Sequence, residues 1–168
     1  MYNIDNIPKD FPWTTVDYNE IEPWRAEGSN WFNEIPRGWG NLCYMYLNRL
    51  THFLNAYGQY SVKEHLVIEQ VKEKFGSLRF YYSFLPWEEN ETEPPEWFFE
   101  NFDSIVTNFE DMTAYVCCDC GAVENLKTYG GWIHVACPRC EQKRKEEEQR
   151  RYKEWQKEHE EGDIIEMS

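Results

Sequence analysis

Cys117-Cys118-Asp119-Cys120-Gly121 and Cys137-Pro138-Arg139-Cys140, with Gly130-Gly131-Trp132-Ile133-His134-Val135-Ala136 between them, decide how this chain is read. Two thiolates two residues apart converge on one centre when the backbone turns tightly between them. Two such pairs, sixteen residues apart, supply four soft ligands for a tetrahedral site, the donor set that selects zinc. Gly121 offers the positive φ that a turn after the first pair needs. Gly130-Gly131 marks a hairpin turn, and Trp132 to Ala136 reads as its return strand. The second pair opens a helical run, Glu141-Gln142-Lys143-Arg144-Lys145-Glu146. Knuckle, hairpin and ligand pair at a helix start predict a treble-clef-like Zn(Cys)4 finger over residues 117–145. Its ligands are Cys117, Cys120, Cys137 and Cys140. Four thiolates leave no open coordination position, so the zinc is expected to be structural.

Two other uses of these cysteines compete with metal binding. Disulfides require an oxidising compartment, and Met1-Tyr2-Asn3-Ile4-Asp5 has neither the basic start nor the apolar core of a secretory leader. A redox pair would be a single CxxC beside a βαβ pattern, which the sequence lacks. Cys118 could replace a neighbour as ligand. Cys43, inside an apolar helical pattern, reads as a small buried hydrophobe.

Upstream, residues 1–37 are rich in proline and aromatics: Phe11-Pro12-Trp13, Glu22-Pro23-Trp24, Trp31-Phe32 and Ile35-Pro36. Frequent proline excludes long helix and central strand, so an irregular arm packing onto the domain is expected. An amphipathic helix follows, with Leu42, Met45, Tyr46, Leu50, Phe53, Leu54 and Tyr57 on one face and Gly58 as its end. Leu66 to Lys72 and Leu78 to Phe84 read as a β-hairpin about Phe75-Gly76-Ser77. Leu78, Phe80, Tyr82 and Phe84 share one face, and Arg79 and Tyr81 the other. Glu96 to Tyr115 predicts a second helix with Phe98, Phe102, Ile105, Phe109 and Met112 at helical spacing. The expected class is α+β: a body over 38–116 with a hairpin packed on helices and an acidic insertion at 87–111. The finger follows, and then a charged helix and tail over 146–168 whose distal end frays, with disorder after Gly162.

The net charge of −14 is unevenly spread. Trp87 to Asp111 holds nine acids and no base, whereas Met112 to Cys140 is neutral. A field of this sign slows approach to nucleic acid or anionic membrane and favours basic partners. No apolar run is long enough to span a membrane.

Gln70-Val71-Lys72-Glu73-Lys74-Phe75-Gly76-Ser77-Leu78-Arg79-Phe80-Tyr81-Tyr82, an upstream Gly38-Trp39, and the two CxxC pairs around Gly130-Gly131-Trp132 occur together. From Gly38 to Cys140 this resembles a group of small uncharacterised phage and bacterial proteins. They carry a KEKFG-x-LRFYY stretch followed by a cysteine finger with a GGW turn. The resemblance implies a phage or bacterial accessory protein in the cytoplasm of a bacterial host cell, and it brings no activity with it.

Three functions follow as expectations. The first is protein binding through an acidic face of Glu88, Glu89, Glu91, Glu93, Glu96, Glu100, Asp103, Glu110 and Asp111. Trp87 and Trp97 are its aromatic anchors. Its partner is a protein with a basic surface, such as a nucleic-acid-handling or defence protein of the host. The alternative is nucleic-acid binding through Arg79 and Tyr81, or through Lys143, Arg144 and Lys145, opposed by the glutamates beside them. An HNH-like nuclease centred on His134 is disfavoured, because His52, His65 and His159 lie in other elements. No enzyme is expected. Whether the charged helix pairs with a second copy is left open by the sequence.

Overall fold

The computed structural model describes residues 2–15, 31–131 and 133–165, with side chains to residue 159. Trp24 with Glu22-Pro23, and Trp132 of the expected return strand, lie outside the described residues. The architecture is α+β: two long helices flank a two-stranded antiparallel hairpin, and a second small hairpin leads into a third helix.

Helix α1 spans Gly40–Ala56. Its buried residues are Leu42, Cys43, Tyr44, Tyr46, Leu47, Leu50 and Leu54, more than one face. Met45, expected in the core, is exposed. It points away from the packed sides, whereas Cys43 and Leu47 are fully buried. The second side of the helix is taken by the amino-terminal arm. Tyr2 stacks on Tyr44 at 4.4 Å, the Tyr44 hydroxyl donates to Asp10 at 2.6 Å, and the Trp13 indole donates to Thr51 Oγ1 at 2.9 Å. The described parts of the arm are short 3₁₀ and α turns, in keeping with its prolines.

Strands β1 (Leu66–Lys74) and β2 (Ser77–Phe84) pair antiparallel through a two-residue turn. Phe75 at φ 54° and Gly76 at φ 80° both lie in the left-handed region, the form that matches strand twist. A bulge between Ile68 and Gln70 inserts one residue into β1. Strict alternation would turn Val71 away from the face that holds Ile68; the bulge lets both be fully buried. Leu78 and Phe80 are buried and Tyr82 and Phe84 half-buried against the core, as the alternation predicts.

Helix α2 (Glu96–Thr113) starts directly after Pro94-Pro95 and buries Phe98, Phe102, Ile105, Val106 and Phe109. Tyr46 of α1 stacks on Phe109 at 4.9 Å, and Phe84 meets Phe98 and Phe102 edge-on. Edge-to-face packing lets many rings share one core, which accounts for the high aromatic content. α2 also covers the open edge of β2. Glu110 accepts from the Phe80 amide at 2.6 Å and Thr113 Oγ1 from the Leu78 amide at 2.9 Å. Those amides would otherwise offer a template for a foreign strand.

Beyond α2 come β3 (Lys127–Tyr129) and β4 (His134–Ala136), then helix α3 (Pro138–Ile165). The helical backbone runs to Ile165, past Gly162, so the expected disordered tail is not found over that stretch. One glycine among residues already in helix costs only about 1 kcal/mol. Among the described residues no helix is long and apolar enough to cross a membrane.

Candidate metal centre

The cysteine cluster forms where three elements meet: the turn after α2, the end of β4 and the first turn of α3. Cys117 to Cys120 make a tight knuckle. The Gly121 amide donates to the Cys117 carbonyl at 2.9 Å, with Gly121 at φ 75°, the conformation expected from its position. The Cys117 amide is taken by the Ala122 carbonyl at 2.7 Å and the Cys118 amide by Val135 at 2.9 Å, which docks the knuckle on β4. Pro138 opens α3 directly after Cys137, and the Cys140 amide donates to the Cys137 carbonyl at 3.0 Å.

The ligand atoms of Cys117, Cys120, Cys137 and Cys140 all lie within 4.8 Å of one another. The sulfurs of Cys120 and Cys137 are 3.7 Å apart, too far for a sulfur–sulfur bond. The Cys137 amide points at the Cys117 sulfur at 3.3 Å, a contact that suits a thiolate acceptor. Burial, then hydrogen bonds from the neighbouring sulfurs, push the Cys140 thiol well above its ordinary range. Crowding four sulfurs is thus unfavourable unless a cation shares the site, and the donor set fits a metal ion.

Cys118 is outside the cluster. It is buried, Arg144 donates to its sulfur at 3.4 Å, and desolvation pushes its thiol up to about 11. Its sulfur lies outside the group of four mutually close ligand atoms and is turned to Arg144 instead. Cys43 is fully buried in α1, as its sequence context implies.

Two polar pairs around the cluster carried no sequence signal of their own. One Arg144 nitrogen donates to both oxygens of Asp119, at 2.7 and 2.9 Å, which clamps the knuckle onto α3. His134 and Glu141, both largely buried, meet at 2.9 Å, and Lys145 reaches Glu141 at 3.4 Å. The hydrogen bond from His134 holds the Glu141 carboxyl below its ordinary range. The hairpin tip abuts this pair: a Cβ on Gly76 would lie 3.3 Å from His134 Cα. Beside the knuckle, Trp39, Glu73, Asp119 and Arg144 line a cleft of about 280 Å³. The buried Trp39 Nε1 has no acceptor among the described residues.

The structure divides the residues expected to bind a partner. Glu88, Glu89, Glu93, Glu96, Glu100, Asp103 and Asp111 are exposed, as is Trp97, whose ring meets Tyr57 edge-on. Trp87 is not a free anchor. Its indole donates to the Tyr60 carbonyl at 2.8 Å and stacks on His65 at 4.1 Å, so it bolts the acidic loop to the body. Glu91 accepts from the Glu88 amide at 2.8 Å and contacts His65, and Glu110 is spent on β2.

The alternative nucleic-acid contacts are also largely engaged. Arg79 donates to Ser77 Oγ and the Leu78 carbonyl, Arg144 to Asp119, and Lys145 pairs with Glu141. Tyr81 is exposed but carries Lys72 over its ring at 5.1 Å, and Lys143 stands in solvent. His134 faces Glu141, with no second histidine beside it in the described hydrogen bonds. The chain was compared with protein-family models, curated proteins and solved structures, and it matches none of them.

Proposed function

We propose that this is a binding protein whose structural zinc fixes a treble-clef finger to an acidic α+β body, and that it engages a basic protein surface. The observation that carries this reading is the exposed acidic stretch around Trp97: Glu93, Glu96 and Glu100 are exposed close to it in sequence, Trp97 is itself 45% exposed, and no lysine or arginine falls between residues 87 and 111. An aromatic anchor in a stretch of one charge suits a partner that offers an apolar pocket among basic side chains. Surfaces of that kind belong to proteins that hold nucleic-acid phosphates, including those of a host defence system. The zinc assignment is supported by spacing. Zn–S bonds of about 2.3 Å put tetrahedrally placed sulfurs about 3.8 Å apart, close to the 3.7 Å of Cys120 and Cys137.

The zinc supplies folding energy and no chemistry. The Arg144–Asp119 ion pair and a hydrogen bond from the Gly38 amide to the Cys118 carbonyl hold the knuckle in place around it. No catalytic role is assigned to His134, which is committed to Glu141. The test is affinity capture from bacterial extract with the metal-loaded protein and with a Glu93→Gln, Glu96→Gln, Glu100→Gln variant. A captured basic protein that the wild type retains and the variant loses, at equal zinc content, supports the reading. Equal capture by both would sink it.

A further inference from the structure

Helix α3 is about 42 Å long at 1.5 Å per residue, and from Lys145 to His159 every side chain is exposed. Nothing in the described chain covers it. Between residues 145 and 159 its large rings form a short stripe at i, i+3 and i+7: Tyr152 lies 6.1 Å from Trp155, and Trp155 4.2 Å from His159. Both large rings are more than half exposed. That spacing is the seam of a paired helix, too narrow to dock on a globular core.

The charges along α3 run against its own dipole. Residues 143–153 hold six bases and three acids, while 154–165 hold five acids and one base. A helix prefers acids at its amino end and bases at its carboxyl end. The last turn of α3 has no base at all. Each half is therefore matched to the opposite half of a helix running the other way.

We infer that α3 pairs antiparallel with α3 of a second copy of this chain, about a twofold axis between Tyr152 and Trp155. Each Tyr152 then packs on Trp155 of the second copy, and Glu148 lies opposite His159. With the stripe as the a and d positions, Arg151 and Glu158 both fall on one flank. The antiparallel register sets Arg151 of each helix beside Glu158 of the other, twice. Neither residue has an ion-pair partner among the described residues. A parallel pair would instead set each basic half beside the other and stack like on like along the seam.

The test is sedimentation equilibrium on the full metal-loaded chain, with helical circular dichroism and zinc content recorded for every variant. At low salt the wild type forms a reversible dimer, which dissociates near 1 M salt, where the screening length falls to about 3 Å. Arg151→Glu and Glu158→Arg each weaken the dimer by about tenfold or more. The double exchange restores it to within about threefold of wild type. These side chains stand in solvent, so all three variants keep their helix and their metal. A monomer at every concentration in low salt overturns the inference. So do single reversals without effect, or a double exchange that fails to restore pairing.

Discussion

The Gly38 amide donates to the Cys118 carbonyl at 2.8 Å, tying the segment before α1 to the cysteine knuckle. A Cβ at Gly38 would lie 2.2 Å from the Cys117 carbonyl oxygen and 2.6 Å from the Cys118 carbonyl. These are backbone atoms of the knuckle itself and cannot rotate aside. Gly38→Ala should therefore destabilise the protein by about 3 kcal/mol in denaturant titration, and should speed metal transfer to a chelator. Gly58→Ala is the control, because nothing lies within 4 Å of its Cβ.

The cysteines divide into ligands and bystanders. Cys120→Ser and Cys137→Ser should reduce bound metal from about one per chain to none, and hydrogen exchange should report loss of protection in β3, β4 and the first turns of α3. Cys118→Ser should keep its metal, since that sulfur lies outside the group of four and is turned to Arg144. Loss of metal from the Cys118 variant would put the fourth ligand in the wrong place.

Trp87 and Trp97 separate packing from recognition. Trp87→Ala removes a half-buried ring and its hydrogen bond to Tyr60, and should lower stability by about 2–4 kcal/mol. Trp97→Ala removes a ring that is 45% exposed and meets only the edge of the core at Tyr57, and should shift stability by about 1 kcal/mol or less while weakening capture of the partner. Thermal melts paired with the capture assay distinguish the two.

Phe75 occupies a left-handed turn position that aromatic residues avoid, with its ring 68% exposed. Asparagine tolerates that conformation and precedes glycine in many such turns. Phe75→Asn should stabilise the fold by about 0.5–1 kcal/mol, read from the denaturation midpoint. A loss of stability would mean that the exposed ring contributes more than its backbone strain removes.

Glu91 gives the pH dependence. The Glu88 amide, and then His65, hold its carboxyl below the ordinary glutamate range. A depressed carboxylate stabilises the fold above its unfolded pKa, and that contribution is lost as pH falls through the folded one. The stability difference between wild type and Glu91→Gln should thus be full at neutral pH and shrink in the acid range below about 4.3. Carboxyl NMR should place the Glu91 midpoint below that of a free glutamate.

Much of this molecule could be read from residue patterns, and the failures have identifiable causes. The four ligands, the Gly121 turn and the inward face of β2 all follow from local rules of spacing and alternation. Met45 was misplaced because α1 packs on two sides, and a single-stripe pattern does not reveal a second covering layer. Trp87 and Glu110 looked free because their partners, Tyr60 and Phe80, are main-chain groups distant in sequence, and composition carries no trace of such bonds. The β1 bulge had a signal that went unused: Ile68 and Val71 are three apart, and a regular strand cannot bury both on one side.

The arm's anchors also set a timetable for folding. Trp31 donates its indole to the Ile68 carbonyl, 37 residues later, and Gly38 waits for Cys118, which leaves the ribosome after the whole hairpin and α2. Tyr2, Phe11 and Trp13 can settle on α1 as soon as that helix forms, but the stretch just before it is fixed only when Cys118 arrives and the knuckle closes. Until then Phe32 and Trp39, both buried in the finished protein, lack part of their cover on a nascent chain. Scarcity of the metal would consequently be felt first as aggregation of newly made chains, before any loss from the pool already folded.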